Sequence, residues 1–179
     1  MKSNINLFQG YYFCKPASEL SVLEIEKILF KIVEIGNLFK IRTLNSIAQK
    51  RELINHYIGV SDKIIEQFKE INQTEKIMFN ELNKYGDLEA IYLIDAKTSK
   101  QINDTIIENS NDRFKPSKAG EEHYLKNYYY ITLESKQGIY ITNKYISYAS
   151  GNICKTFARK FELEDNSYII CLDIIIKRN

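Results

Sequence analysis

The sequence predicts an α+β fold in which amphipathic helices come first and an antiparallel sheet of about five strands follows. Two patterns support this class. From Leu20 to about Gly86 apolar residues recur every three or four positions, which is the spacing of an amphipathic helix. After Gly86 the apolar residues fall into short stretches rich in β-branched and aromatic side chains. Helices followed by strands, rather than alternating with them, are typical of the α+β class.

The helical region, residues 20–86, is expected to contain at least three helical segments. Ser21 followed by Glu24 fits a capping box at the first start, and Asn72 followed by Glu75 fits a similar start further on. Three glycines stand where helices could end. They are Gly36, Gly59 and Gly86.

The strand region begins with LEAIYLID at 88–95, and KQIND at 100–104 is predicted to return beside it as a hairpin. Residues 104–122 are polar and are predicted to form a long loop with at most a short helix. Loops of this length often carry function. Three further strands are predicted at 138–147, 152–161 and 167–176. Turn-rich segments separate them, so we expect consecutive strands to pair as an antiparallel meander.

Composition excludes several function classes. The 179 residues carry 25 Lys and Arg against 23 Asp and Glu, a net charge of +2, so no basic footprint predicts a nucleic-acid or membrane partner. Apolar runs stay well short of the roughly 18 residues that span a bilayer. Cys14, Cys154 and Cys171 lack a CxxC spacing, and the two histidines are far apart in sequence, so no metal or cofactor is expected. Three thiols without a secretory leader lead us to expect a cytoplasmic protein.

Asp173 is an anomaly in the last predicted strand. Ile169, Cys171 and Ile175 share its face, because alternate side chains of a strand point the same way. A buried, unpaired carboxylate costs several kcal/mol. Asp173 is therefore expected to meet a cation or a donor, to contact a ligand, or to lie where the strand is open to solvent.

The segment HYLKNYYY, residues 123–130, places a histidine, a lysine and four tyrosines beside the long loop. Tyrosine combines an apolar face with a hydroxyl group, so such a cluster suits either a packed core or a small-ligand pocket. Lys126 is the candidate for an anionic group and His123 for a pH-sensitive contact. No nucleophile has a local histidine-based motif and no glycine-rich phosphate loop occurs, so no catalytic residue is predicted.

Residues from 88 onward resemble the PDC or Cache family of bacterial sensor domains, which have PAS-like sheets preceded by a long helix. The resemblance rests on LEAIYLIDAKTSKQI, on KYISYASGNICKTFARKF and on the closing YIICLDI, and extends more generally over residues 20–176. It implies a ligand pocket. Lys126 stands where arginine is common in the family's basic-aromatic motif, and Asp173 matches an aspartate that binds an amine in many members. The implied ligand-binding residues are His123, Lys126, Tyr128, Tyr129, Tyr145, Ser147 and Asp173.

The first residues resemble a different family. FQGYYFCKPASELSVLEIEKIL is similar to the C-terminal end of EAL domains, the bacterial cyclic di-GMP phosphodiesterases, where such a segment ends the last barrel strand and leads into the final helix. A (β/α)₈ barrel needs roughly 250 residues, so the catalytic carboxylates of such an enzyme would lie outside this chain. The resemblance implies an upstream EAL domain, with residues 1–19 as its remnant and residues 1–16 poorly ordered on their own.

The sequence thus predicts three parts: the remnant 1–19, a helical linker or dimerisation segment 20–86, and a sensor domain 87–179. The leading hypothesis is a non-enzymatic regulatory domain that binds a small ligand, dimerises through its N-terminal helices and controls the EAL domain. Two alternatives remain open. One is the sensor domain of a membrane chemoreceptor or kinase, and the other is a purely structural dimerisation domain.

Overall fold

The computed structural model describes residues 21–107 and 114–176. The chain divides into two compact units, residues 1–52 and residues 53–179. The predicted EAL remnant, its expected poor order and part of the long loop lie outside the described residues. Among the described residues, no helix has both the length and the apolar content needed to cross a bilayer.

The first helix, α1, runs over Val22–Ile65 as one element of 44 residues. The predicted capping box at its start is confirmed. The Ser21 backbone N–H donates to Glu24 Oε2 at 2.8 Å, and the Glu24 backbone N–H donates to Ser21 Oγ at 3.3 Å. These reciprocal bonds give the Ser21 amide an acceptor and add the Ser21 hydroxyl to the Ser21 carbonyl as an acceptor for the Glu24 amide.

The predicted breaks within the helical region are wrong. Gly36 and Gly59 both lie inside α1, because an isolated glycine costs a helix only about 1 kcal/mol and its flanking residues continue the helical pattern. The second predicted capping box also fails. Asn72 belongs to a short 3₁₀ turn, and the next helix, α2, covers Thr74–Leu82 with Gln73 as an N-cap whose side chain makes no capping bond.

Six strands and a third helix complete the fold within the described residues. They are β1 (Leu88–Asp95), β2 (Ile106–Ile107), α3 (Asn127–Glu134), β3 (Ile139–Ile141), β4 (Tyr145–Ile146), β5 (Ile153–Leu163) and β6 (Asn166–Ile175). All the pairings are antiparallel, in the order β2-β1-β6-β5-β3, and β4 pairs with β5. The α+β class with an antiparallel sheet is thereby confirmed.

The sheet departs from the prediction in two places. The stretch 138–147 forms two short strands, β3 and β4, with Thr142 between them. Here the Thr156 amide donates to the Thr142 hydroxyl rather than to its carbonyl, which interrupts the backbone pairing. The returning segment 100–104 lies beside β1 as predicted, since Gln101 bridges Ile94 and the Ile102 amide donates to the Leu93 carbonyl. It forms no continuous strand, however, and β2 pairs with β1 beyond it.

The two faces of the sheet pack against different elements. On one face, the C-terminal turns of α1 and the whole of α2 bury an apolar core that includes Tyr57, Met78, Phe157 and Leu172. On the other face, α3 covers a smaller apolar cluster around Tyr92, Ile169 and Cys171. The alternation of β6 assigns its even-numbered residues to the first face and its odd-numbered residues, Asp173 included, to the second.

Candidate functional site

An open cavity of about 540 Å³ lies on the α3 side of the sheet. Its floor includes Asp173 of β6 and Thr156 of β5, and its walls come from the residues around the start of α3 and around β4. The cavity exists because α3 covers only part of this face. Its lining combines tyrosines, neutral polar side chains and lysines, a composition suited to a small organic ligand.

Asp173 lies at the floor with only 6% of its surface exposed. The Thr156 hydroxyl donates to Asp173 Oδ1 at 2.7 Å, and the Tyr145 and Thr156 hydroxyl oxygens are 2.8 Å apart. Burial raises the pKa of Asp173 from 3.8 to about 6, and the nearby Glu89 also raises it. The bond from Thr156, the neighbouring Tyr145 hydroxyl and the charge of Lys126 act in the opposite direction.

The direction of these hydrogen bonds follows from counting hydrogens. Thr156 has one hydroxyl hydrogen, and it points to the Asp173 carboxylate, so Tyr145 donates to Thr156. Burial and the charge of Asp173 raise the pKa of Tyr145, which keeps this hydroxyl protonated. The remaining lone pairs of Asp173 and Tyr145 are acceptors, so the floor is complementary to a ligand that donates hydrogen bonds.

A second series of hydrogen bonds, centred on His123, supports the cavity wall. Gln101 uses its amide hydrogens on other partners, so its Oε1 accepts from His123 Nε2 at 2.9 Å. His123 Nδ1 then accepts from the Tyr128 hydroxyl at 2.7 Å, and Tyr128 accepts from Tyr92 at 3.1 Å. Burial and the charge of Lys126 lower the pKa of His123 to about 4, so the ring is neutral at pH 7.

Charged groups are distributed unevenly around the cavity. Among the described residues that line it, Asp173 is the sole carboxylate, and Lys115, Lys126 and Lys144 carry positive charge at exposed positions. The buried floor therefore offers a negative group and the mouth offers positive ones. A ligand with an ammonium group at one end and an anionic group at the other matches this distribution.

Glu89 is the centre of a third buried polar cluster, which was not predicted from the sequence. Glu89 is 4% exposed and accepts from Asn152 Nδ2 at 2.9 Å and from the Cys154 thiol at 2.6 Å. Burial and the Glu89 carboxylate raise the pKa of Cys154, so this thiol stays protonated. An acidic residue within the apolar strand LEAIYLID was the signal that could have identified it.

Six of the seven predicted site residues line the same cavity. They are His123, Lys126, Tyr128, Tyr145, Ser147 and Asp173. Tyr129 lies elsewhere, because adjacent residues of α3 point in different directions; its hydroxyl donates to the Ala96 carbonyl at 2.9 Å and its ring packs in the apolar cluster. Contact of these residues with a ligand stays a prediction. No group of three or more metal-ligating side chains is found within 21–107 and 114–176.

No protein-family model and no curated protein sequence matches this chain. Solved structures do. The Bacillus subtilis protein YkuI, which has an EAL domain and was solved with its substrate c-di-GMP and calcium, aligns over 96% of this chain with a TM-score of 0.63 and 16% identity. The ligand-binding domain of Mlp24, solved with asparagine, aligns over 80% with a TM-score of 0.52 and 13% identity.

These comparisons confirm the predicted resemblance to sensor domains at the level of the fold. The chain spans 44% of the length of the YkuI chain and 60% of the Mlp24 chain, which is less than two thirds of either. A long helix followed by an antiparallel sheet is thus an arrangement that this chain shares with the ligand-binding domain of Mlp24.

Proposed function

We propose that residues 87–176 form a sensor domain that binds a small organic ligand in the cavity above Asp173. The observation that carries the proposal is the buried Asp173 at the floor of an open cavity, where its carboxylate has lone pairs left to accept bonds from a ligand. Burying a carboxylate without a cation lowers stability, so a protein retains one where it is used. The likeness to a ligand-binding fold supports the same conclusion.

Asp173 is proposed to accept a hydrogen bond from an amine of the ligand, as the family resemblance implies. Lys126, at the N-terminus of α3, is proposed to contact an anionic group. His123 and Tyr128 hold the wall in place through their mutual hydrogen bond, and Tyr145 and Ser147 complete the lining.

Thermal unfolding in the presence of a metabolite library tests this proposal, because a compound that binds only the folded state raises the melting temperature. We expect at least one compound to stabilise the wild-type chain and to lose most of its effect on Asp173→Asn and Lys126→Gln. Tyr129→Phe is the matched control, because its hydroxyl lies outside the cavity lining. The proposal fails if no compound stabilises the protein, or if stabilisation is the same in all variants.

The finer part of the proposal concerns cyclic di-GMP signalling. The similarity to YkuI and the EAL-like segment at residues 8–29 support a role in which this domain regulates an EAL domain on the same polypeptide, in the cytoplasm. We propose that these 179 residues have no phosphodiesterase activity of their own. Hydrolysis of cyclic di-GMP, measured for this chain and for the full-length protein with and without a stabilising compound, tests both statements. Hydrolysis by this chain alone contradicts the second.

We further propose that α1 pairs with a second copy of the chain. Within residues 21–52 many large apolar side chains are exposed, with Phe30 72% and Phe39 73% accessible. Sedimentation velocity should show a dimer for the wild type and a monomer for Phe30→Glu combined with Phe39→Glu. Lys31→Gln combined with Lys40→Gln is the matched control, because it changes the net charge by the same two units without removing an apolar side chain. A wild-type monomer overturns this part.

Two other functions have specific support. The exposed apolar side chains of α1 favour a structural dimerisation domain, which would form the same dimer but bind no compound. The likeness to the ligand-binding domain of Mlp24 favours the sensor domain of a membrane receptor. The sequence that precedes Met1 in the parent gene separates the second case from ours, since we expect a barrel with metal-binding carboxylates and a receptor requires a transmembrane helix.

A further inference from the structure

The geometry of the cavity points to a short peptide with a free N-terminus, two or three residues long, as the ligand. This inference rests on the proposed function and specifies its ligand class. It follows from four features of the cavity: its size, the acceptors at its floor, the donors along its walls and the apolar side chains at its rim.

The size of the cavity is sufficient for a ligand larger than one amino acid. Pockets of about 300–1,000 Å³ bind drug-sized molecules, and this one measures about 540 Å³. Its buried carboxylate lies at the floor while its three lysines are exposed at the mouth. A ligand that pairs with both must therefore extend from the floor to the mouth.

The floor and walls differ in hydrogen-bonding character. The floor accepts, as the order of bonds from Tyr145 through Thr156 to Asp173 requires. Along the walls, Thr105, Thr142 and Ser147 accept bonds from Gln101 Nε2, the Thr156 amide and the Ala149 amide.

Each of these three wall hydroxyls keeps its own hydrogen, which has no acceptor in the described part of the chain. These groups match a ligand with an ammonium group at the floor and carbonyl oxygens along the walls. A peptide that enters with its N-terminus first presents its groups in this order.

The rim provides apolar contacts that a single polar metabolite would leave unused. Leu125, Ile146 and Tyr148 all line the cavity, and they are 79%, 69% and 83% exposed. Apolar side chains exposed beside a polar site are typical of a recognition surface. Side chains of the second and third peptide residues would cover them, and the C-terminal carboxylate would then lie near the lysines.

The decisive experiment is calorimetric titration of the full 179-residue chain with free amino acids and with unblocked dipeptides of Leu, Phe, Ala, Asn and Glu. We expect at least one dipeptide to bind tenfold or more tightly than either of its constituent amino acids. Acetylating its N-terminus should abolish binding, and amidating its C-terminus should weaken binding several-fold.

Variants of the rim separate a peptide from a smaller ligand. Tyr148→Ser should weaken dipeptide binding at least fivefold, while Tyr124→Ser, an exposed tyrosine outside the cavity lining, should leave it unchanged. If a free amino acid binds as tightly as every dipeptide and Tyr148→Ser has no effect, the peptide inference is overturned and the proposed function stands. If neither the metabolite library nor the peptides bind, both are overturned.

Discussion

The two faces of one sheet have opposite chemical characters. On the helix side, β6 contributes Ile170, Leu172 and Ile174 to a continuous apolar core. On the cavity side, the alternate residues of the same strand include Asp173, which has a polar network and an open cavity around it. Strand alternation allows this separation, since one face can be optimised for packing while the other retains groups that lower stability. Stability and ligand recognition should therefore be separable by mutation.

The largest expected effect belongs to the helix side. Leu172→Ala removes a fully buried side chain from the centre of β6 and should lower the free energy of unfolding by about 2–5 kcal/mol. Urea denaturation of the variant and the wild type measures this loss. A loss below about 1 kcal/mol would mean that this face is not the principal core and would remove the basis of the comparison.

The second prediction is that a substitution on the cavity side raises the free energy of unfolding instead of lowering it. The pKa of Asp173 is about 6 in the folded chain against 3.8, so between these values the folded state binds more protons than the unfolded state. Stability contributed by Asp173 then falls as pH rises from 3.8 to 6 and stays lower above 6. Because one pKa unit corresponds to about 1.4 kcal/mol, Asp173→Asn should be more stable than the wild type by up to about 3 kcal/mol at pH 7.

Denaturation of Asp173→Asn and wild type at several pH values tests this prediction. The informative quantity is the difference in unfolding free energy between the two proteins. The lowered pKa of His123 makes stability rise with pH in both of them, and this contribution cancels in the difference. The difference should grow from pH 4 to pH 6 and then remain level. A variant that is less stable than the wild type at pH 7 would show that Asp173 has a structural role.

The third prediction concerns the loop that borders the cavity. Gly151 has φ +81°, and a Cβ at this position would come within 2.3 Å of the Phe114 ring. Gly120 has φ +86° and open space around it, so it carries the same backbone preference without the contact. Gly151→Ala should therefore cost about 1–3 kcal/mol more than Gly120→Ala in urea denaturation, as overpacking does. Equal costs would show that Phe114 does not pack firmly on this loop.

The smallest effect is expected at the ion pair and hydrogen bonds between α1 and β5. Arg159 makes an ion pair with Asp62 at 2.6 Å and also donates to the Ile58 carbonyl and to Ser61. Asp62 is about half-exposed, so Asp62→Asn should cost less than about 1 kcal/mol in unfolding free energy. A larger loss would indicate that the helix side depends on this charge as well as on apolar packing.

Much of the cavity side could be predicted because its signals are local in sequence. The period of two in β6 identified Asp173 as a carboxylate among apolar residues, and the cluster at 123–130 identified His123, Lys126 and Tyr128. Thr156 could not be identified in this way. Its importance comes from the register that places it opposite Asp173, 17 residues along the chain.

Other features depended on long-range packing or on a competing local preference. Gln101 orients His123 across 21 intervening residues, which no local pattern encodes. The family resemblance puts Tyr128 and Tyr129 together at the aromatic positions of its motif, whereas α3 turns the two rings toward different surroundings. The glycines of α1 show that a continuous helix can outweigh the local cost of Gly36 and Gly59.

The most direct test of the ligand site is calorimetric titration, at several values between pH 5 and pH 8, of the compound that most stabilises the protein. The range lies above the pKa of His123 and includes that of Asp173. If an amine of the ligand binds the ionised Asp173, affinity should rise with pH up to about 6–7 and level off, and Asp173→Asn should bind weakly without this rise. The same affinity and pH dependence in both proteins would contradict a ligand site at Asp173.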